Sequence, residues 1–173
     1  MRYAQIEECE IINGENVGIT IWTQGCNRHC PGCHNPETWD FKGGQLFTKT
    51  DEDKIYKLLS KPYIKRCSWS GGEPLVDDNL YQLNYILCTI KSNWPDKKVW
   101  IWTGYTWDEL QERRKNMTSD LLQMTFKYSD YLVAGPFIQE EKDLTLLWRG
   151  SRNQEVIDLR QTLAKGEKVL YVR

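Results

Sequence analysis

Three cysteines that lie close together in the sequence are the residues best suited to carry out chemistry. Cys26, Cys30 and Cys33 have the spacing C-x3-C-x2-C within the segment GCNRHCPGCHNPETWDF, and no fourth cysteine lies nearby. Thiolates are soft ligands that select zinc, copper(I) or iron–sulfur clusters. Three thiolates on one loop can hold three irons of a cubane and leave the fourth iron free to bind a substrate. The spacing therefore favours a [4Fe-4S] cluster with one open iron.

Three other interpretations of the cysteine loop stay open at this point: a zinc site, a disulfide, and a chance grouping of free cysteines. A zinc site could use His29 or His34 as its fourth ligand, although only one of the two usual half-sites is present. A disulfide would use two of the cysteines and leave the third unpaired. The remaining cysteines, Cys9, Cys67 and Cys88, lie far from the loop in sequence and are expected to be ordinary packed side chains.

The elements that must position this loop are predicted to be strands that alternate with helices. Apolar segments rich in β-branched or aromatic residues indicate the strands, and apolar residues at helical spacing indicate the helices. The predicted strands are Val17–Trp22, Arg66–Ser70, Val99–Thr103 and Tyr131–Ala134. Candidate edge strands are Val156–Leu159 and Val169–Val172. Helices are predicted to begin near Thr50, Asp77, Asp108 and Leu121. Such alternation predicts an α/β fold built from βαβ units, with a parallel sheet and right-handed crossovers.

Three stretches follow predicted strands and should meet at one edge of the sheet. They are the cysteine loop, Gly71-Gly72-Glu73 and Thr103-Gly104-Tyr105. Ligands of parallel sheets bind beyond the carboxyl ends of the strands. Paired glycines let the backbone approach a ligand, and the glutamate adds an acceptor for an ammonium group, although a plain Gly-Gly turn would explain the glycines alone. Element order thus predicts one shared site.

Length and composition narrow the class of protein. The chain has 173 residues, which suits a single domain spanning residues 1–173. The formal net charge of -1 disfavours nucleic acid or an anionic membrane as the partner. We find no apolar run long enough for a signal peptide or a bilayer span, so a cytoplasmic location is expected. In a reducing compartment, six cysteines favour metal ligation over disulfides.

Several motifs resemble one protein family. The C-x3-C-x2-C loop after a strand is similar to that of the radical S-adenosylmethionine (radical SAM) enzymes, and GCNRHCPGCHNPETW resembles the activating proteins of the anaerobic ribonucleotide reductases. Four further segments agree and occur in the expected order: SWSGGEPL at Ser68–Leu75, WIWTGYTWDEL at Trp100–Leu110, DYLVAGPF at Asp130–Phe137 and WRGSRNQEVIDL at Trp148–Leu159. The resemblance therefore covers most of the chain.

This resemblance implies an incomplete TIM-like barrel and a specific activity. It implies that Cys26, Cys30 and Cys33 hold a [4Fe-4S] cluster that cleaves S-adenosylmethionine (SAM) reductively, with electrons from a low-potential donor such as flavodoxin. The resulting radical would remove hydrogen from a glycine of the large subunit of anaerobic ribonucleotide reductase. The implied SAM-binding residues are Gly32, Cys33, His34, Ser70, Gly71, Gly72, Glu73, Thr103 and Tyr105.

The sequence also leaves two rival functions open and several polar residues without an assigned role. One rival is a different radical SAM activity, such as activation of another glycyl-radical enzyme or modification of a small molecule. Another is a non-catalytic, zinc-stabilised binding module. Arg152 and Asn153 are candidates for contacts with SAM or the partner, while Arg149, Arg152 and Arg160 also fit an ordinary solvated face. Because a protein loop must reach the radical, we expect an exposed mouth lined partly by aromatic residues.

Overall fold

A mixed seven-stranded sheet forms the centre of the computed structural model, which describes residues 1–115 and 119–172. The strands are β1 (Arg2–Glu10), β2 (Gly18–Thr23), β3 (Gln45–Leu46), β4 (Arg66–Gly71), β5 (Lys98–Thr103), β6 (Tyr131–Ala134) and β7 (Glu155–Asp158). They lie in the order β3-β1-β2-β4-β5-β6-β7. Strands β2, β4, β5 and β6 are parallel, and β1, β3 and β7 join by antiparallel pairing.

Five α-helices in the described residues accompany these strands. They are α1 (Lys49–Leu59), α2 (Asp77–Asn93), α3 (Trp107–Arg113), α4 (Ser119–Tyr128) and α5 (Leu159–Lys165). Apolar side chains of the helices form the main core with Cys67, Trp69, Val99 and Ile101, which project from alternate positions of β4 and β5. The helices therefore bury the apolar faces that their spacing predicts.

The opposite face of the sheet carries a smaller, aromatic core. Trp100 is fully buried there and packs against Tyr131, Trp148 and Tyr171. Tyr171 belongs to the C-terminal tail, and its hydroxyl donates to a carboxylate oxygen of Glu15 at 2.8 Å. Strands β5 and β6 are thus covered on both faces, which explains why their sequences are apolar at most positions.

A buried ion pair fixes the loop of residues 11–17 that joins β1 to β2. Arg66 in β4 is fully buried, and its Nη1 lies 2.5 Å from Oε1 of Glu10. The other carboxylate oxygen of Glu10 accepts hydrogen bonds from the backbone N–H groups of Ile12 and Asn13. Arg66 also donates to backbone carbonyl oxygens of the same loop. Because buried charges need partners, this pair holds the loop in one conformation.

The predicted α/β class is confirmed, but the sheet is mixed rather than parallel. The loop between β1 and β2 is much shorter than the dozen or so residues that a parallel crossover needs, so β1 pairs antiparallel with β2. In the described residues the outer strands β3 and β7 do not pair with each other, and the sheet is open. No helix within the described ranges has the length and apolar character to cross a bilayer.

The prediction of two edge strands in the tail was partly wrong. The first is present as β7, but it ends at Asp158, whose carboxylate accepts from the N–H of Gln161 at 2.9 Å and starts α5. Leu159 is therefore helical. In the predicted strand Val169–Val172, Leu170 forms a single bridge to Ile157 instead of a ladder.

Candidate active site

The carboxyl ends of the parallel strands border a cavity of about 400 Å³. Its walls come from the cysteine loop after β2, the ends of β4 and β5, and the segment between β6 and β7. A volume of this size lies within the range of small-molecule sites. The predicted site residues on its walls are Cys26, Cys30, Cys33, His34, Ser70, Gly71, Gly72, Glu73 and Thr103. Element order alone was sufficient to bring these stretches together.

The cysteine loop points sulfur atoms and backbone donors at the same space. The N–H of Arg28 donates to Sγ of Cys26, and the N–H of Asn35 donates to Sγ of Cys33, both at 3.4 Å. Such bonds favour the thiolate, whereas burial raises the pKa of the Cys26 thiol in the protein without a metal. Cys30 lies between them on the cavity wall. Two of the three soft donors, Cys26 and Cys33, thus have N–H support from within the loop.

In the described part of the chain the cysteine loop forms neither a disulfide nor a ready-made site for a single metal ion. All six cysteines fall in the described part of the chain, and each is a free thiol. Within those residues no three His, Cys, Asp or Glu side chains converge as ligands of a single metal ion. His29 packs edge-on against Trp39, and His34 packs against Phe137. A cubane binds its ligands at separate corners, so three thiolates on one cavity wall can each bind a different iron.

Glycines join the end of β4 directly to the cysteine loop. A Cβ atom on Gly72 would lie 2.4 Å from the carbonyl oxygen of Gly25, the residue before Cys26. The N–H of Glu73 donates to that same oxygen at 2.8 Å, and the N–H of Gly72 donates to the carbonyl of Thr23 at 2.8 Å. The paired glycines are therefore required for the close approach of two backbones, whether or not a ligand also contacts them.

Glu73 is buried and links β4 to β5. One carboxylate oxygen accepts from the Thr103 hydroxyl at 2.8 Å and from the N–H of Leu75 at 2.9 Å, and the other accepts from the N–H of Gly104 at 2.7 Å. Burial raises the pKa of Glu73, and these three donors and nearby Arg113 oppose the rise. Sequence reasoning treated Glu73 and Thr103 as separate ligand contacts, but here they bind each other.

Two predicted site residues are not part of the cavity wall. The Tyr105 hydroxyl accepts from the Asn27 amide at 3.0 Å, and its ring has the guanidinium carbons of Arg28 and Arg113 within 5 Å of its centre, at 4.8 and 4.4 Å. Gly32 instead makes room for a neighbouring loop, because a Cβ there would lie 2.1 Å from Oε1 of Gln139. Their predicted contacts with SAM remain predictions.

Sequence reasoning missed several residues of the cavity wall, some of which lie on the segment between β6 and β7. The missed residues include the aromatic side chains Trp22, Trp39, Trp102, Phe137 and Trp148, together with Asp143, Arg149 and Gln154. The motif RGSRNQ was the available signal, since it lies outside the regular elements. The two arginines of this motif lie in different environments. Arg149 lines the cavity, while Arg152 pairs with Asp143 on the surface.

Comparison with known proteins agrees with this architecture. A family model described as a 4Fe-4S single cluster domain matches residues 12–157. A protein of Escherichia coli K12 named anaerobic ribonucleoside-triphosphate reductase-activating protein is 40% identical over 162 residues, which cover 92% of this chain and 100% of that protein. Proteins of the same name from Haemophilus influenzae and from Enterobacteria phage T4 are 39% and 34% identical, over 89% and 90% of this chain and 96% and 93% of their own lengths. The chain belongs to the family of anaerobic ribonucleoside-triphosphate reductase-activating proteins.

Membership of the activating-protein family agrees with the chemistry of the cavity. The matched segment contains the whole cysteine loop and the strands from β2 to most of β7. The description of the family model supports a 4Fe-4S cluster as the cofactor, and the free thiols on the cavity wall are suitable ligands for it.

Proposed function

We propose that the chain is a radical SAM activase, which cleaves SAM reductively and generates the glycyl radical of an anaerobic ribonucleotide reductase. The observation that carries this proposal is the cavity that combines Cys26, Cys30 and Cys33 with the end of β4 in a member of the activating-protein family. When bound, a reduced [4Fe-4S] cluster supplies the electron that splits the sulfonium of SAM into methionine and a 5′-deoxyadenosyl radical.

The three cysteines are the proposed ligands of the cluster. The N–H donors of Arg28 and Asn35 stabilise the thiolates, and burial of Cys26 keeps water from that sulfur. The loop is anchored from outside by Arg28, whose Nη1 and Nη2 donate to the two carboxylate oxygens of Glu109 at 3.1 and 3.2 Å. A bidentate pair of this kind fixes orientation as well as position.

The proposed SAM site runs along the ends of β4 and β5. Ser70, Gly71 and Gly72 line the same cavity as Cys33 and His34. Glu73 is fully buried, and its three bonds suit a positioning role that keeps the β4 end against the β5 end. Gly32, Thr103 and Tyr105 complete the proposed set at its margins.

The reaction partner is proposed to be the large subunit of the reductase, whose glycine must come within reach of the radical. The cavity wall includes the exposed side chains of Ile12 and Leu144, and aromatic side chains such as Trp39, Trp102 and Phe137 also line it. Aromatic surface of this type is typical of interface cores. We propose that docking of the reductase covers the mouth and excludes water from the radical.

The fold, location and electron donor expected from the sequence form part of the same proposal. The open sheet is proposed to be an incomplete TIM-like barrel, and residues 1–173 a single radical SAM domain. We propose a cytoplasmic protein that receives electrons from a low-potential donor such as flavodoxin. The net charge of -1 supports the expectation that neither nucleic acid nor membrane is a partner.

Electron paramagnetic resonance on the candidate partner tests this function. The protein is reconstituted anaerobically with iron and sulfide, reduced with dithionite, and incubated with SAM and the reductase large subunit. The expected result is a glycyl radical signal that requires both SAM and this chain. If SAM is cleaved but the radical forms only on another glycyl-radical enzyme, the rival activase function is correct. A colourless protein that contains zinc and no labile sulfide would establish the binding-module alternative.

A further inference from the structure

Arg149 is a cation on the cavity wall whose charge the described residues do not balance. Other ionisable side chains of the wall already have partners, since Arg28 pairs with Glu109, Asp143 pairs with Arg152, and Glu73 accepts three hydrogen bonds. Across residues 1–115 and 119–172, no carboxylate forms an ion pair with Arg149. The cavity therefore has a positive charge available for an anionic group of a ligand.

The surrounding loop holds this guanidinium in place. Nη1 of Arg149 donates to the backbone carbonyl of Gln154 at 2.9 Å. The Gln154 side chain accepts from the N–H groups of Gly150 and Ser151 at 2.8 and 3.2 Å, and it donates to the carbonyl of Gly135 at 3.0 Å. These bonds tie the loop to the end of β6. A side chain that is ordered in advance loses little entropy when it binds a ligand.

The free donors of Arg149 match a carboxylate. Its Nε–H is buried, and among the described residues it has no hydrogen-bond partner. Buried donors of native proteins usually have a partner, so this one indicates a missing acceptor. A guanidinium presents its N–H groups as a planar fork that binds both oxygens of a carboxylate. A ligand carboxylate would thus satisfy the charge and the orphan donor together.

We propose that Arg149 binds the α-carboxylate of SAM. The inference rests on the proposed function and adds the residue that recognises one end of the substrate. The amino-acid end of SAM carries one ammonium and one carboxylate. The cavity wall offers the end of β4 and, on the loop before β7, the cation Arg149, which has no carboxylate partner among the described residues. Arg152 cannot substitute for it, because 71% of its side chain is exposed and it already pairs with Asp143.

Binding of SAM and of decarboxylated SAM to the reconstituted protein tests the proposal. Isothermal titration is done anaerobically with the oxidised cluster, so that SAM is not cleaved. Arg149→Gln is expected to weaken SAM binding by about 10- to 100-fold, the usual effect of losing a hydrogen bond to a charged group. Decarboxylated SAM is expected to bind the wild type at least as weakly as SAM binds the variant, and Arg149→Gln should not weaken it further.

Matched variants separate the possible outcomes. Arg152→Gln removes the same charge three residues away and is expected to leave the affinity for SAM within about twofold, because Asp143 keeps its bonds from Thr145. If Arg149→Gln does not retain iron, Arg149→Lys keeps the charge and should show a smaller but selective loss for SAM. Equal loss for both ligands, or loss for neither, overturns the proposal. Wild-type protein with a cluster but no affinity for SAM would overturn the proposed function itself.

Discussion

Replacing Glu10 with Gln should destabilise the protein far more than an ordinary strand substitution. The change leaves the Arg66 guanidinium, which is fully buried, without its carboxylate at 2.5 Å. Removal of one partner of a buried ion pair costs about 3–5 kcal/mol. A protein of this size loses about 2–4 °C of Tm per kcal/mol, so the expected decrease in Tm is about 10 °C.

Differential scanning calorimetry of the anaerobically reconstituted protein measures this decrease. The matched control is Glu8→Gln in the same strand, since Glu8 pairs with Lys54 at the surface with 45% of its side chain exposed. That variant should lose no more than about 1 kcal/mol. Equal Tm values for Glu10→Gln and Glu8→Gln would refute this reasoning.

The pH dependence of the same pair has a definite sign. Burial acts to raise the pKa of Glu10, but hydrogen bonds from Arg66, Thr20 and the backbone of Asn13 outweigh it and the pKa is lowered from 4.5. A carboxyl group with a lowered pKa contributes stability that is complete above its ordinary value and is lost as the pH falls through the folded value. The difference between wild type and Glu10→Gln should therefore shrink below about pH 4.5.

Two further substitutions test the contacts that position the site. Glu109→Gln removes the charge that holds Arg28, and we expect a chelator to extract iron from this variant about two- to fivefold faster than from the wild type. The control is Glu112→Gln, which removes an exposed ion pair with Lys115 and should leave the extraction rate unchanged. Thr103→Val removes one of three donors to the Glu73 carboxylate and should cost about 1–3 kcal/mol in urea unfolding at pH 8. Because burial raises the pKa of Glu73, the contribution of this carboxyl to stability is greatest below pH 4.5 and falls as the pH rises through the folded value. At pH 4 the group is protonated and accepts a weaker hydrogen bond than a carboxylate does. The cost of Thr103→Val should therefore be smaller at pH 4. An equal cost at both pH values would contradict the buried, proton-linked carboxylate.

The sequence predicted the strands that are buried by apolar contacts, and it missed β1 and β3, which bury few of their residues. Strand β5 reads KVWIWT and β6 reads YLVA, and both were located to within one residue. Strand β1 reads RYAQIEECE, which has no clear apolar alternation. Its last residue, Glu10, is buried only because Arg66, more than fifty positions later, neutralises it. A long-range charge pair of this kind has no local signal.

The candidate site was predicted where backbone geometry determines it and missed where packing does. Strand order placed the cysteines and the Gly-Gly-Glu segment at one edge, because carboxyl ends of parallel strands must coincide. Nothing in the sequence indicates that Thr103 donates to Glu73, or that Arg149 faces the cavity while Arg152 faces solvent. Those assignments depend on a loop conformation that the side chain of Gln154 fixes.

Release of 5′-deoxyadenosine from SAM tests most directly whether the three cysteines on the cavity wall hold a cluster that cleaves SAM. Protein reconstituted with iron and sulfide is reduced with dithionite, and the product is quantified for Cys26→Ala, Cys30→Ala and Cys33→Ala beside Cys88→Ala, a cysteine outside the cavity wall. We expect the wild type and Cys88→Ala to release the nucleoside, and we expect no release from any of the three loop variants. Release by any loop variant at the wild-type rate would contradict it.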